Sequence, residues 1–335
     1  MRLMASDFPN EAAFLAFKRC QTHLLGHHKI LVSVSGGADS DIMLDLIQKV
    51  LSDDTHKYNC DIRYVWFDTG LEYSATKEHL NYLEDKYGIK IERVRVKCPV
   101  PLGCKEYGQP FLSKMISEMI ERLQRKGFDF AVDGEKSYEE LIEKFPKTKG
   151  ALTWWCNKYP IAEGKHLSEF NINLNRGLKE YMIQNPPKFK ISAKCCKGAK
   201  KNPSKDYCKE NDIDLKMVGL RKQEGGARSL KIKSCFSDNS ETGEMDIFRP
   251  VWWFTDEDKD KYKDFYHLKY SDCYEVLGMK RTGCCGCPFN SKFEQELELI
   301  KNTDPMLYVA ANNIFKESYE YTRGFREFKK KLGGK

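Results

Sequence analysis

In the first hundred residues, short apolar runs alternate with stretches of helical period. Phe8 to Leu25 places Phe14, Phe17, Leu24 and Leu25 on one side of an amphipathic helix. Ile30 to Val34 is an apolar, β-branched run of the kind buried strands use. After it, Ile42, Met43, Leu46, Ile47 and Val50 recur at helical spacing, predicting a helix to about Leu51. Ile62 to Phe67 reads as a second strand, Ser74 to Tyr87 as a helix stopped by Gly88, and Ile89 to Val96 as a third strand. Strand, helix, strand, helix, strand predicts the α/β class: a parallel twisted sheet with helices on both faces. Ligands of such sheets lie beyond the carboxyl ends of the strands.

The pattern then changes. Between Cys98 and Pro187, helices are predicted around Leu112 to Arg125, Tyr138 to Phe145 and Arg176 to Ile183, with no repeat and no low-complexity tract. Trp154 and Trp155 read as core residues of this helical insert. Leu215 to Leu220 predicts a further strand, and Thr255 with Asp258 predicts a capped helix start. Lys292 to Ile300 and Met306 to Lys331 close the chain as packing helices. The expected division is an α/β domain over 1–97 and 188–290, a helical insert over 98–187 and C-terminal helices over 291–335.

Composition narrows the class. The chain has 335 residues, 41% hydrophobic and 31% charged, enough for one large core or two domains. Thirteen cysteines are too sparse for a disulfide scaffold, and MRLMASDFPN lacks a signal peptide's apolar run. No apolar stretch approaches the roughly 18 residues of a membrane span. A cytoplasmic protein with no membrane partner is therefore expected, its thiols reduced and available for metal. The net charge of +7 points weakly to an anionic partner, since much of it falls in lysine-rich helical segments.

The chemistry begins between the first strand and its helix. Ser35, Gly36, Gly37, Asp39 and Ser40 lie there; the glycines let the backbone approach a ligand, and the helix N–H groups that follow favour an anion. No Gly-Lys-Ser/Thr follows, so this is not a Walker loop. The run SGGADS resembles the pyrophosphate (PP) loop, SGGxDS, of the N-type ATP pyrophosphatases, relatives of the phosphoadenosine phosphosulfate (PAPS) reductases within the adenine nucleotide alpha hydrolase superfamily. After the second strand, Asp68, Thr69 and Gly70 open DTGLEYSAT, which resembles the reductases' DTGxxFxxT. That resemblance places Asp68 and Thr69 at the ribose or adenine. Farther on, GLRKQEGGAR carries Gly219, Arg221, Glu224 and Arg228, two guanidiniums able to fork onto phosphate or sulfate oxygens. It resembles the family's Gly-Ile/Leu-Arg-x-x-Glu-Ser-x-x-Arg segment, with Gly225 in place of the serine. Arg249-Pro250-Val251 and Thr255 to Asp258 resemble its Pro-x-x-x-Trp-Thr-x-x-Asp stretch.

Cys284-x-x-Cys287 has the spacing of a chelating hairpin for zinc or an iron–sulfur cluster. Adjacent Cys195 and Cys196 suit two irons of a cluster better than one zinc. A Cys-Cys pair followed at a distance by Cys-x-x-Cys resembles the [4Fe-4S] pattern of the iron–sulfur sulfonucleotide reductases. That resemblance makes Cys195, Cys196, Cys284 and Cys287 the ligands, with Cys285 a substitute for Cys284; Cys98 and Cys104 read as ordinary. Lys280-Arg281-Thr282 adds positive charge before the hairpin.

Two departures from the reductases bear on the reaction. Their loop is usually Ser-Phe-Gly, and their nucleophilic cysteine lies in a Glu-Cys-Gly-Ile/Leu-His tail, where this chain has GFREFKKKLGGK. Both favour ATP with Mg²⁺ as the nucleotide. The resemblance then implies α–β cleavage of ATP and sulfur transfer with a [4Fe-4S] cluster, closest to the reductase-like component of DNA phosphorothioation systems. Ser35, Gly36, Gly37 and Ser40 hold the β and γ phosphates, Asp39 helps place the ion, and Arg221 and Arg228 steady the α phosphate or the acceptor. A nucleic-acid acceptor and a sulfur donor such as a cysteine desulfurase or thioredoxin-like protein are the expected partners. The alternatives are a PAPS or adenylyl-sulfate reductase releasing sulfite, and a silent nucleotide- and cluster-binding regulator.

Overall fold

The computed structural model describes residues 2–159, 171–224, 232–239 and 245–333. They form two compact units, one of 1–97 with 200–283, the other of 98–199 with 284–335. Arg228 and Gly225 lie outside the described residues. Among the described residues no helix is long and apolar enough to cross a membrane.

The first unit is built on one six-stranded sheet, ordered β3-β2-β1-β4-β6-β5. Its strands are β1 (Lys29–Ser33), β2 (Asp61–Asp68), β3 (Ile91–Arg95), β4 (Leu215–Val218), β5 (Phe236–Ser237) and β6 (Asp246–Phe248). All neighbours run parallel except β5, which is antiparallel to β6. β1 is buried on both faces, as an apolar central strand must be. Ile30 and Val32 join Leu215, Met217 and Phe248 under α1 (Glu11–Gly26), α2 (Ala38–Ser52), α3 (Ser74–Tyr87) and α5 (Asp256–Phe265). Leu31 and Val65 pack on the opposite face against Tyr207 and Cys208 of α4 (Asn202–Glu210). Helices thus cover both faces of a mostly parallel sheet, the architecture predicted.

The boundaries follow local chemistry. Asn10 Oδ1 accepts the Ala13 N–H at 2.9 Å, so α1 starts later than the apolar pattern suggested and Phe8 is buried ahead of it. Leu25, predicted on the apolar side, is 49% exposed. α3 ends where expected, at Gly88 with φ +62°. Thr255 and Asp258 form the predicted capping box on α5. β4 stops at Val218, two residues short of the predicted strand.

On α1, the His23 ring stacks 4.3 Å from Phe236 and lies 4.1 Å from Phe248. Burial, with His27 close by, pulls its pKa down to about 4. The unfolded chain accepts this proton near pH 6.5 and the folded chain refuses it until about pH 4. His23 therefore withdraws stability as pH falls through that window and costs nothing above it. Replacing His23 by Phe is expected to flatten the acid decline of Tm between those limits, measured by thermal unfolding across pH.

The second unit is helical. Its core gathers Phe111, Ile116, Ile120, Phe128, Trp154, Trp155, Tyr181 and Phe325. Both tryptophans are fully buried, and Trp155 Nε1–H donates to the Gly134 carbonyl at 3.1 Å. The helix predicted over 306–331 is two, Pro305–Ile314 and Lys316–Gly333, parted at the buried Phe315.

Candidate functional site

The sheet order reverses between β1 and β4, the topological position at which such sheets bind ligands beyond their carboxyl ends. SGGADS follows β1 there. Ser40 Oγ accepts the Ser35 N–H at 3.0 Å and Ser35 Oγ accepts the Gly37 N–H at 3.3 Å, so the two hydroxyls brace the loop. Gly36 takes φ +66°, and a Cβ there would stand 2.8 Å from Thr76 Cγ2. α2 then opens with Asp39 and Asp41 in its first turn, complementing the dipole. Asp41 is buried and meets His79 Nε2 at 2.7 Å; burial pushes its pKa up.

β4 delivers the facing half. A Cβ on Gly219 would lie 2.7 Å from Asp39 O, Ser40 Cα and Ser40 N, so only glycine lets the chain leaving β4 approach the first turn of α2. Arg221 is 7% exposed. Its Nε donates to Asp39 Oδ1 at 2.8 Å and its Nη1 lies 2.9 Å from Asp256 Oδ1. Burial works against its charge, and the two carboxylates outweigh it, holding its pKa above the ordinary value. Asp39 and Arg221, given separate tasks by the sequence, are therefore partners. The Glu224 carboxylate accepts the Arg221 N–H at 3.3 Å and shapes the turn.

At the end of β2, Asp68 Oδ1 accepts the Gly70 N–H at 2.9 Å, which closes its own turn. Thr69 is buried and its hydroxyl donates to Glu72 Oε1 at 2.6 Å. Burial raises the Glu72 pKa against the pull of Lys200 and Thr69. Arg249 follows β6, 5% exposed, with Nη1 donating to Ser237 Oγ at 3.0 Å; burial lowers its pKa.

The four cysteines named from sequence all belong to the second unit. Lys194–Cys196 forms a short helical turn that runs on as a π-turn over Lys197–Lys201. Cys195 is buried, and a hydrogen bond with Cys104 is the largest cause raising its thiol pKa; Cys196 and Cys287 also act on it. A Cβ on Gly103 would stand 3.1 Å from Cys195 Cα, and one on Gly198 3.0 Å from Cys98 Sγ. Cys98 and Cys104, read as ordinary from sequence, thus sit among the candidate ligands. The Cys287 N–H donates to Cys284 O at 3.2 Å, closing the hairpin, and Gly286 turns it at φ +60°. Cys285 is fully buried. Among the described residues no three ligating side chains converge as a single metal ion requires. Thiolates of a four-iron cluster attach to different irons and need not share one point. Cys196 and Cys287 act on the Cys195 thiol and Cys284 opens the turn that Cys287 closes, so the donors are thiolates, the kind of ligand an iron–sulfur cluster would take.

Residues 29–140 match the family model of the phosphoadenosine phosphosulfate reductase domain. That stretch, about a third of the chain, is similar to a PAPS reductase domain. An uncharacterized protein of Methanocaldococcus jannaschii is 41% identical over 117 residues, 35% of this chain and 22% of that protein. The chain thus matches about a fifth of that relative's length. Two solved structures are similar at low identity. A PAPS reductase from Candida auris in a phosphate complex is 13% identical, covering 80% of this chain and 87% of that one, with a TM-score of 0.42. A U34-tRNA thiolase from Methanococcus maripaludis with its [4Fe-4S] cluster is 14% identical, covering 95% and 80%, with a TM-score of 0.37.

The matched stretch takes in SGGADS, DTG, Cys98 and Cys104, and stops before Arg221 and the four cysteines named from sequence. The geometry adds residues that sequence reading missed. Asp256 was seen only as part of a capped helix, and nothing local tells that it faces Arg221. Arg249 falls within a motif legible in the sequence, but its burial beside Ser237 is a tertiary fact. Thr282 was read as part of a basic run, yet its Oγ1 stands 3.1 Å from where a Gly37 Cβ would be.

Proposed function

We propose that the protein binds ATP with Mg²⁺ beyond the carboxyl ends of β1 and β4 and cleaves it between the α and β phosphates. The observation that carries this reading is the seating of Gly219 and Arg221 on SGGADS: a phosphate-binding turn, a carboxylate and a guanidinium meet within one unit. Ser35, Gly36, Gly37 and Ser40 hold the β and γ phosphates, Asp39 is the candidate ligand of the ion, and Arg221 opposes charge building on the α phosphate. Arg228 is assigned the same task from sequence. Asp68 and Thr69 remain assigned to the ribose or adenine side. An oxygen of the acceptor attacks the α-phosphorus, the Pα–O–Pβ bond breaks and pyrophosphate leaves with its electron pair. A sulfur nucleophile, a persulfide or hydrosulfide from a donor protein, then displaces AMP from the acceptor. A nucleic acid is the proposed acceptor.

Cys195, Cys196, Cys284 and Cys287 are proposed to hold a [4Fe-4S] cluster, which when bound supplies a centre able to carry sulfur or electrons. The reductase-domain match favours a second reading, thioredoxin-dependent reduction of PAPS or adenylyl sulfate to sulfite. One anaerobic preparation tests both. About four irons per chain are expected, with pyrophosphate released from ATP in the presence of acceptor. Sulfite from the sulfonucleotide with no ATP turnover would select the second reading. One zinc and no iron would remove the cluster.

A further inference from the structure

The first unit contains a hydroxyl that occupies the mouth of the loop. Ser271 Oγ donates to Ala75 O at 3.1 Å and Thr76 Oγ1 stands 3.8 Å from Cys273 Sγ, so the turn Asp272–Glu275 is fixed to α3. Tyr274 projects from it over the start of α2. Its Oη accepts the Ala38 N–H at 3.3 Å and the Thr282 N–H at 3.2 Å, and lies 3.4 Å from Thr282 Oγ1. A Cβ on Gly37 would meet Thr282 Oγ1 at 3.1 Å, Tyr274 Oη at 3.3 Å and Ser35 Oγ at 3.4 Å. One neutral oxygen thus satisfies a donor at the N-terminus of α2 and a second donor on the returning chain. Both of its lone pairs are used, as a phosphate oxygen's would be. Lys280 and Arg281, both exposed, precede the second donor in sequence.

We propose that the Tyr274 hydroxyl is a stand-in for a phosphate oxygen, and that Thr282, through its N–H and its Oγ–H, is a phosphate-positioning residue of the nucleotide site. This rests on the reading of SGGADS as that site. A phosphate oxygen carries charge, and its hydrogen bonds to the Ala38 and Thr282 N–H groups are roughly twice as strong as those of a neutral hydroxyl. Binding therefore exchanges Tyr274 for the ligand, and the lost Tyr274 bonds subtract from affinity. The phenol oxygen is fixed to its ring, so admitting the ligand moves the ring, whose centroid lies 5.9 Å from that of Tyr270 before the exchange.

The test is calorimetric titration of the full chain with inorganic pyrophosphate and with ATP, both with Mg²⁺. Tyr274→Phe removes the competing oxygen, so both ligands are expected to bind about thirtyfold tighter, the weight of the two neutral hydrogen bonds that wild type must give up. Thr282→Val keeps the shape and removes a donor, and about tenfold weaker binding is expected. Thermal unfolding confirms that each variant is folded. Unchanged or weaker binding by Tyr274→Phe, with wild-type binding intact, overturns this inference and leaves the nucleotide reading standing. A folded wild type that binds neither ligand overturns both.

Discussion

Replacing Gly219 by alanine is expected to lower ATP affinity by more than a hundredfold and to destabilise the protein by about 3 kcal/mol, the upper end for overpacking a rigid site. The added methyl would stand 2.7 Å from three backbone atoms of Asp39 and Ser40. Backbone at the first turn of α2 cannot yield as a side-chain tip can. Either the carboxyl end of β4 retreats, taking Arg221 from Asp39, or SGGADS shifts and loses its bracing bonds. Equilibrium ATP binding and thermal unfolding check this together. Gly26→Ala is the control: a Cβ there has nothing within 4 Å, and affinity should not change. Full ATP affinity in a folded Gly219→Ala protein would falsify the placement of the nucleotide.

Arg221→Gln should be the most damaging change in a single side chain. Arg221 is buried and holds two carboxylates, of which Asp39 is mostly sheltered and Asp256 is largely in solvent. Removing the cation leaves Asp39 uncompensated, a loss of roughly 3 kcal/mol where a pair is buried. It also removes the group proposed to oppose charge on the α phosphate, so pyrophosphate release should fall about 10² to 10³-fold. Asp39→Asn alone should also be inactive if Asp39 binds the ion. The double variant should recover stability relative to the sum of the single losses, with a coupling of about 1–3 kcal/mol. Strict additivity in Tm, or activity retained by either single variant, argues against the pair as the centre of the site.

What was readable in the sequence is what short-range physics fixes. β1 is apolar at every inward position, so its burial showed. Gly88 ends α3 because only a left-handed residue closes that turn, and Thr255 with Asp258 spell a cap three residues apart. SGGADS announced a tight, anion-facing turn through its own glycines and hydroxyls. The helix over 306–331 was read as one because Phe315 gives no local sign of a break. Leu25 fits the helical period, but the period alone does not say where the covering layer ends. The Arg221–Asp39–Asp256 bridge and the approach of Cys104 to Cys195 depend on how distant segments return, which neither spacing nor composition encodes. Tyr274 belongs to the same class: its hydroxyl matters only because Ser271 and Cys273 anchor the turn on α3.

The crossover from β3 to β4 has a consequence for biosynthesis. Asp39 and Arg221 are separated by 182 positions, and the whole helical insert is translated between them. At about 5–20 residues per second the ribosome takes roughly ten to forty seconds to span that gap. Throughout that interval the nascent loop stands at the margin of a three-stranded half-sheet, its acidic side chain awaiting a cation not yet made. Newly made chains should therefore acquire ligand affinity in one late step, after emergence of β4, rather than gradually as the amino-terminal strands assemble.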